Sequence, residues 1–188
     1  FYVNDALLDK LRIAIESGAN VNIQTSRGYS PLIFLAKSDV KEPNIEMVDL
    51  LLRNGANPNL QDRGGETALH WASARGFLEM VEKLLESENI DINITNIDGR
   101  NALHSIFDDE EEIFNPDNVE PIMKLLIEKG ININETDDSG KTALHLAAEQ
   151  NRGAAIGVLL RAGADENIKI YDYHPAGQTA YELAENIR

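Results

Sequence analysis

Short apolar patterns with helical spacing recur along the chain, and each is bounded by glycine or by polar residues. In one of them Met80 and Val81 precede Leu84 by four and three residues, which predicts the apolar face of an amphipathic helix. Glycine tolerates the positive φ that tight turns and helix C-termini require. The pattern therefore predicts an all-α chain of short helices joined by turns.

Two signatures alternate along the sequence. The first begins at a glycine and is clearest as GETALHWASA from Gly65; its other copies are GYSPLIFLAK, GRNALHSIFD, GKTALHLAAE and GQTAYELAEN. The second follows about half a period later, as SGANVN, NGANPN, ENIDIN, KGININ and AGADEN. Two signatures in fixed alternation indicate a protein built from repeated units.

Each recurring residue type has a physical role in the unit. A glycine supplies the positive φ of the first turn, at Gly28, Gly65, Gly99, Gly140 and Gly177. Two residues later a hydroxyl is placed to cap the first helix, at Ser30, Thr67, Thr142 and Thr179. A second glycine is placed to end the second helix, at Gly18, Gly55, Gly130 and Gly163. One unit cannot cover its own apolar face, so we expect neighbouring units to stack.

TALHWA, TALHLA and NALHSI resemble the T-P-L-H-x-A signature of the ankyrin-repeat family, with Ala in place of Pro. SPLIFLA keeps the Pro and lacks the His. Because the copies recur in register with the Gly-Ala-x-x-Asn partner signature, the resemblance covers nearly the whole chain. It implies an all-α ankyrin-repeat solenoid of stacked helix-turn-helix units with hairpin loops.

Counting the signatures predicts four full repeats with a half repeat at each end. The expected units are a truncated first repeat at 1–24, with 1–4 the tail of a first helix, full repeats at 25–61, 62–95, 96–136 and 137–173, and a C-terminal half repeat at 174–188. Successive turn glycines are 37, 34, 41 and 37 residues apart, against a family period of about 33. The excess predicts an insertion between helices at 39–43, an acidic insertion at 108–121 and an extended hairpin loop at 167–175.

Charge and composition exclude several classes of partner. The formal net charge of -15 argues against nucleic acid, which needs clustered Lys and Arg. We expect no membrane span, since no run of eighteen apolar residues occurs, and no secretory signal. The absence of cysteine suits a cytoplasmic protein, or the host cytosol if the chain is a bacterial effector. We also expect a monomer.

Three histidines invite a metal or catalytic interpretation, namely His70, His104 and His145. They occupy the same position in successive units, so stacking spaces them along the chain instead of converging them on one ion. The family resemblance implies that each bridges turns by hydrogen bonds to the backbone. We therefore predict no catalytic residue, no metal site and no cofactor.

The family resemblance implies that the turn tips and the exposed side of the first helices form a concave face that binds partners. Cations near the turn glycines are expected to line one rim of it: Arg27, Arg63, Arg100 and Lys141. Further candidates on this face are Tyr29, Glu66, Trp71, Arg75 and Gln150, joined by Asp109, Ile113 and Phe114 of the acidic insertion. Two alternatives stay open: Trp71 is a packing residue or a binding hot spot, and the insertion is a solvated loop or a docking loop.

These observations predict a protein-protein interaction module or scaffold that binds a protein or peptide partner through its concave face and hairpin tips, without catalysis. The alternative is a targeting or regulatory ankyrin segment of a larger enzyme or secreted effector, with the catalytic domain outside this chain.

Overall fold

The computed structural model describes residues 2–38, 42–108, 116–170 and 177–186. In these ranges the chain forms short helices and no strand; Ile170 and Gln178 pair in an isolated antiparallel bridge. The helices are α1 (Tyr2–Glu16), α2 (Pro31–Lys37), α3 (Ile45–Arg53), α4 (Ala68–Arg75), α5 (Leu78–Leu85), α6 (Ala102–Ser105), a 3-10 helix (Pro116–Asn118), α7 (Val119–Glu128), α8 (Ala143–Glu149), α9 (Gly153–Arg161) and α10 (Ala180–Asn186).

The helices pack in two parallel series. Each first helix packs on the first helix of the next unit, in the order α2, α4, α6, α8, α10. Each second helix packs on the next second helix, in the order α1, α3, α5, α7, α9. Among the described residues, the helices in closest contact belong to the same unit or to adjacent units, so the molecule is a stack, and the predicted all-α solenoid is confirmed.

Polar caps begin the first helices as the sequence predicts. The Ser30 hydroxyl accepts from the backbone N of Ile33 at 3.3 Å, and the Thr67 hydroxyl accepts from that of His70 at 3.4 Å. Asn101, where the other units have Ser or Thr, caps α6 by accepting from the backbone N of Leu103 at 3.1 Å. Each helix can therefore begin at a fixed residue although it is only four to eight residues long.

Gly65 shows why the first signature must begin with glycine. Its φ is 78°, and a Cβ atom there would lie 2.8 Å from the backbone N of Ile97 and 2.9 Å from Cα of Asn96. Gly55, which ends α3, also has a positive φ, of 83°, but a Cβ atom there would meet nothing within 4 Å. Gly65, like Gly28, is thus required both by conformation and by the close approach of the next turn.

The core runs the length of the stack between the two helix series. Every full unit contributes the leucine of its first signature, at Leu32, Leu69, Leu103 and Leu144, and all four are buried. The second helices contribute Val48, Met80, Leu84, Ile122, Met123, Leu126 and Leu159, which are almost fully inaccessible. Shortening one such buried side chain to Ala typically destabilises a protein by about 2–5 kcal/mol.

Two predicted boundaries are wrong. α1 is one continuous helix from Tyr2, so residues 2–4 are not the tail of a separate first helix; no glycine or proline interrupts them. α7 begins at Val119, so 119–121 do not belong to the insertion. Pro121 is tolerated there because the first turn of a helix does not use its backbone N–H groups.

The rest of the three predicted insertions lies largely outside the described residues, which omit 39–41, 109–115 and 171–176. Among the described helices, none has both the length and the apolar character that a membrane span requires.

Candidate partner-binding surface

Successive turns are joined by backbone hydrogen bonds. The backbone N of Arg63 donates to the carbonyl of Arg27 at 3.1 Å, and that of Ile97 donates to Gly64 at 3.0 Å. The next step runs from the backbone N of Asp138 to the carbonyl of Asp98, at 2.8 Å. The turn tips therefore form one continuous row, which we call the turn ladder.

Two of the three signature histidines, His70 and His104, brace this ladder from below, whereas His145 Nε2 has no hydrogen-bond partner among the described residues. His70 Nδ1 accepts from the backbone N of Thr67 at 3.2 Å, so Nε2 carries the proton and donates to the carbonyl of Arg100 at 3.0 Å. His104 Nε2 donates to the carbonyl of Lys141 in the same way, at 3.1 Å. Burial lowers the pKa of His70 to about 4 and that of His104 below its usual range, so both rings are neutral at pH 7. They bridge turns, as the resemblance implied.

The four cations of the rim fall into two pairs. Arg27 and Arg63 precede the turn glycine, lie exposed at the tip, and form no ion pair within the described residues. Arg100 and Lys141 follow the glycine at the base of the turn and are half-buried. Arg100 Nε lies 3.4 Å from Asp137 Oδ2, and Lys141 Nζ lies 2.8 Å from Glu149 Oε1. Only the first pair is available to a partner without breaking a contact.

Trp71 takes part in both packing and surface contacts. The ring is half-buried, its Nε1 donates to Asp62 Oδ2 at 3.0 Å, and Lys37 Nζ lies 3.2 Å from a Trp71 ring centroid. The same ammonium group is 5.9 Å from the Tyr29 ring. The two alternatives for Trp71 are thus compatible, because one edge of the ring is anchored while its face contacts a surface cation.

Glu66 is a half-buried carboxyl group at the base of its turn. Its Oε1 accepts from Asn96 Nδ2 of the next turn at 2.6 Å. The pKa of Glu66 is raised to about 7, mainly by burial and to a smaller extent by Asp62, Asp108 and Asp98, while the Asn96 hydrogen bond opposes this shift. Glu66 therefore holds a proton for much of the time at neutral pH.

The repeat geometry is matched by the comparisons with known proteins. The family model of ankyrin repeats, with three copies, matches residues 3–96, 39–115 and 91–170. The chain belongs to the ankyrin repeat family. Its turn ladder, bridging histidines and two helix series are therefore those of an ankyrin stack.

Three relatives show how widely this ankyrin stack is shared. A protein of Acanthamoeba polyphaga mimivirus that is named for its ankyrin repeats is 43% identical over 88 residues, 47% of this chain and 20% of the relative. The ANK repeat-containing protein nipk-1 of Caenorhabditis elegans is 37% identical over 117 residues, 57% of this chain and 18% of the relative. The B-cell lymphoma 3 protein homolog of Mus musculus is 37% identical over 86 residues, 45% of this chain and 18% of the relative. The chain thus matches about a fifth of the length of these relatives.

One predicted surface residue of the ankyrin stack is in fact internal. Arg75 is only 4% exposed, and its Nη1 donates to the carbonyl of Ser38 at 3.2 Å. The expectation that Arg75 lies on the open face is wrong, because α4 ends beside the C-terminus of α2 and the side chain reaches across. Gln150 is half-buried and donates from Nε2 to the carbonyl of Phe107 at 2.6 Å. Asp109, Ile113 and Phe114 lie outside the described residues.

Phe34 is an exposed aromatic residue that was not singled out from the sequence. It occupies in α2 the position that Trp71 occupies in α4, and its ring is 63% exposed. No described first helix packs on the outer side of α2, which leaves the ring open. The equivalence with Trp71 was the signal that could have found it.

Proposed function

We propose that this ankyrin stack is a protein-protein interaction module. It binds a protein or peptide partner across the concave face, defined as the turn tips together with the exposed side of α2, α4, α6 and α8. Residues 1–188 act as a monomeric scaffold in the cytoplasm and catalyse no reaction.

The observation that carries this proposal is the turn ladder. Backbone hydrogen bonds hold the tips in a row, so their exposed side chains have fixed spacing before any partner arrives. A pre-ordered surface loses little conformational entropy on binding, which favours affinity. His70 and His104 are used in bracing this surface and are neutral at pH 7, so they add support and not chemistry.

Peptide selection followed by charge reversal tests the proposal. Peptides are selected on the intact chain from a random display library, and their affinities are measured by calorimetry. We expect Arg63→Glu with Arg100→Glu to weaken binding by about tenfold or more, because each replaces a concave-face cation.

The matched control reverses two second-helix cations. Lys83 pairs with Glu86 at 2.9 Å and Lys124 pairs with Glu120 at 2.6 Å, both outside the concave face. Lys83→Glu with Lys124→Glu should change the affinity by less than about twofold, and circular dichroism should show both double variants folded. Equal losses in the two double variants would contradict the proposal.

A second proposal concerns a longer protein. Because the matches cover about a fifth of the relatives' length, we propose as the alternative that this stack targets or regulates an enzyme or secreted effector. Comparing the reading frame that encodes the chain with residues 1–188 tests it. A flanking catalytic domain whose substrate choice changes on deletion of the stack would support this alternative, and a reading frame without one would contradict it.

A further inference from the structure

One corner of the concave face differs in charge from the rest of this acidic chain. We call it the cationic corner and define it as Arg27, Tyr29, Phe34, Arg63 and Trp71. Its two arginines are exposed and form no ion pair within the described residues, whereas the rim cations of the next two turns, which follow the glycine, are paired. The net charge of the whole chain is -15, so two exposed arginines in adjacent turns contrast with the overall charge.

The carboxyl groups next to these arginines are already engaged. Asp62 Oδ1 accepts from the backbone N of Gly64 at 2.8 Å and of Glu66 at 3.0 Å, while Oδ2 accepts from Trp71. Glu66 is bonded to Asn96 and is half-buried, which favours its uncharged form. Both groups are therefore held by contacts within their own turn or to the next one, and neither forms an ion pair with the arginines within the described residues.

An apolar groove adjoins the cationic corner. It has a volume of about 500 Å³ and lies between α1 and α2, where Leu7, Leu11, Ile23 and Phe34 line it. Among the described residues of the lining, Lys10 alone carries a charge. Tyr29 lines the groove as well and is half-buried, so the groove and the corner form a continuous surface.

We propose that the cationic corner and this groove together bind an acidic peptide segment with an apolar side chain. Carboxylates of the segment meet the guanidinium groups of Arg27 and Arg63, and the apolar side chain packs beside Phe34. Guanidinium groups bind carboxylates in a bidentate manner, and unpaired ones do so without breaking an existing contact. This inference rests on the proposed function and adds the chemical class of the partner.

Charge complementarity also fixes where such a segment binds. Asp98 and Asp138 are exposed at the tips of the next two turns, and Asp108 follows α6. An acidic segment is repelled by these carboxylates and attracted at the cationic corner, so its position along the stack is set by repulsion as well as attraction.

Fluorescence anisotropy with three labelled peptides tests the inference. The acidic probe has four Glu followed by Phe and Leu, and the two comparison peptides replace Glu with Lys or with Gln. We expect the acidic probe to bind at least about tenfold more tightly than either comparison peptide, and to weaken as salt rises from about 50 to about 300 mM. Arg27→Glu with Arg63→Glu should remove this preference, and Phe34→Ala should weaken the acidic probe severalfold.

Several results would overturn the inference. Equal or tighter binding of the Lys probe would do so, and would leave the proposed function standing if Trp71→Ala on the concave face weakened that probe. Binding of the acidic probe that survives Arg27→Glu with Arg63→Glu but is lost in Lys83→Glu with Lys124→Glu would overturn both. A dimer in sedimentation velocity that Phe34→Asp dissociates would show that a second copy occupies the groove, and would also overturn it.

Discussion

The rim cations that precede the turn glycine and those that follow it lie in different turns of the stack and meet different surroundings. Arg27 and Arg63 lie at the tips, where solvent surrounds them. Arg100 and Lys141 lie at the turn bases. There Arg100 reaches Asp137, three residues before the next turn glycine, and Lys141 reaches Glu149 on the following helix. A side chain on the concave face is thus available for binding only if its place in the turn keeps it away from the next unit.

The largest expected effect concerns the turn ladder, which positions both pairs of rim cations. Gly65→Ala should destabilise the fold by about 2–5 kcal/mol, because the positive φ disfavours Ala and the added Cβ atom meets the backbone of Asn96 and Ile97. Gly55→Ala, at an equally positive φ with open space around it, should cost only about 1–2 kcal/mol. Urea unfolding measures both, and equal losses would show that close approach of the turns contributes nothing.

The next prediction concerns how the stability of the fold depends on pH through Glu66, a carboxyl group on the concave face. The folded-state pKa of Glu66, about 7, lies above its ordinary value of 4.5. The stability that its proton provides is therefore present below pH 4.5 and lost as the pH rises through 7. Glu66→Gln keeps the acceptor for Asn96 without the charge, so relative to the native chain it should gain about 2–3 kcal/mol at pH 8–9 and nothing at pH 4.

Urea unfolding across this pH range checks the Glu66 prediction. Glu149→Gln is the matched control, since Glu149 is a partly exposed carboxylate that pairs with Lys141. It should lose less than about 1 kcal/mol at pH 8. A gain at high pH in both variants would mean that overall negative charge, and not the burial of Glu66, is responsible.

A smaller effect separates the tip cations from the base cations directly. Arg100→Glu should destabilise the fold by about 1–2 kcal/mol, because it places a carboxylate beside Asp137, whose side chain is only 3% exposed. Arg63→Glu should stay within about 0.5 kcal/mol of the native chain, since no side-chain contact is lost. If Arg63→Glu destabilises as much as Arg100→Glu, the division into tip and base cations is wrong.

The smallest effect is the coupling between Lys37 and Trp71. A double-mutant cycle with Lys37→Gln and Trp71→Phe should give a coupling free energy of about 0.5–1 kcal/mol, the usual range for an ammonium group over an aromatic ring at a partly exposed site. A cycle with Lys83→Gln in place of Lys37→Gln is the control. Coupling no larger than in the control would show that the ring does not bind the cation.

Features that recur in every unit could be predicted from the sequence, whereas the burial of a side chain that depends on which unit lies next to it could not. The turn glycines, the hydroxyl caps and the bridging role of the histidines follow from one unit, because their partners lie in the same unit or at a fixed step to the next. Arg75 is buried because Ser38, 37 residues away, lies beside it. Phe34 is exposed because no described first helix packs on its outer side. Such outcomes depend on the order of the units in the stack.

The cationic corner shows the same limit of prediction from the sequence. Arg27 and Arg63 were predicted at the rim from their distance to a glycine, but their availability depends on whether they precede or follow it. The exposed fraction of each side chain could be judged only when adjacent turns were placed together.

Backbone amide NMR of the intact chain, titrated with the acidic probe, tests the central claim most directly. The account predicts that the largest shifts occur at the amides of Arg27, Tyr29 and Arg63 and at the indole N–H of Trp71, with little change in α5 and α7. Shifts concentrated on the second helices, or spread evenly over the acidic turns around Asp98 and Asp138, would contradict it.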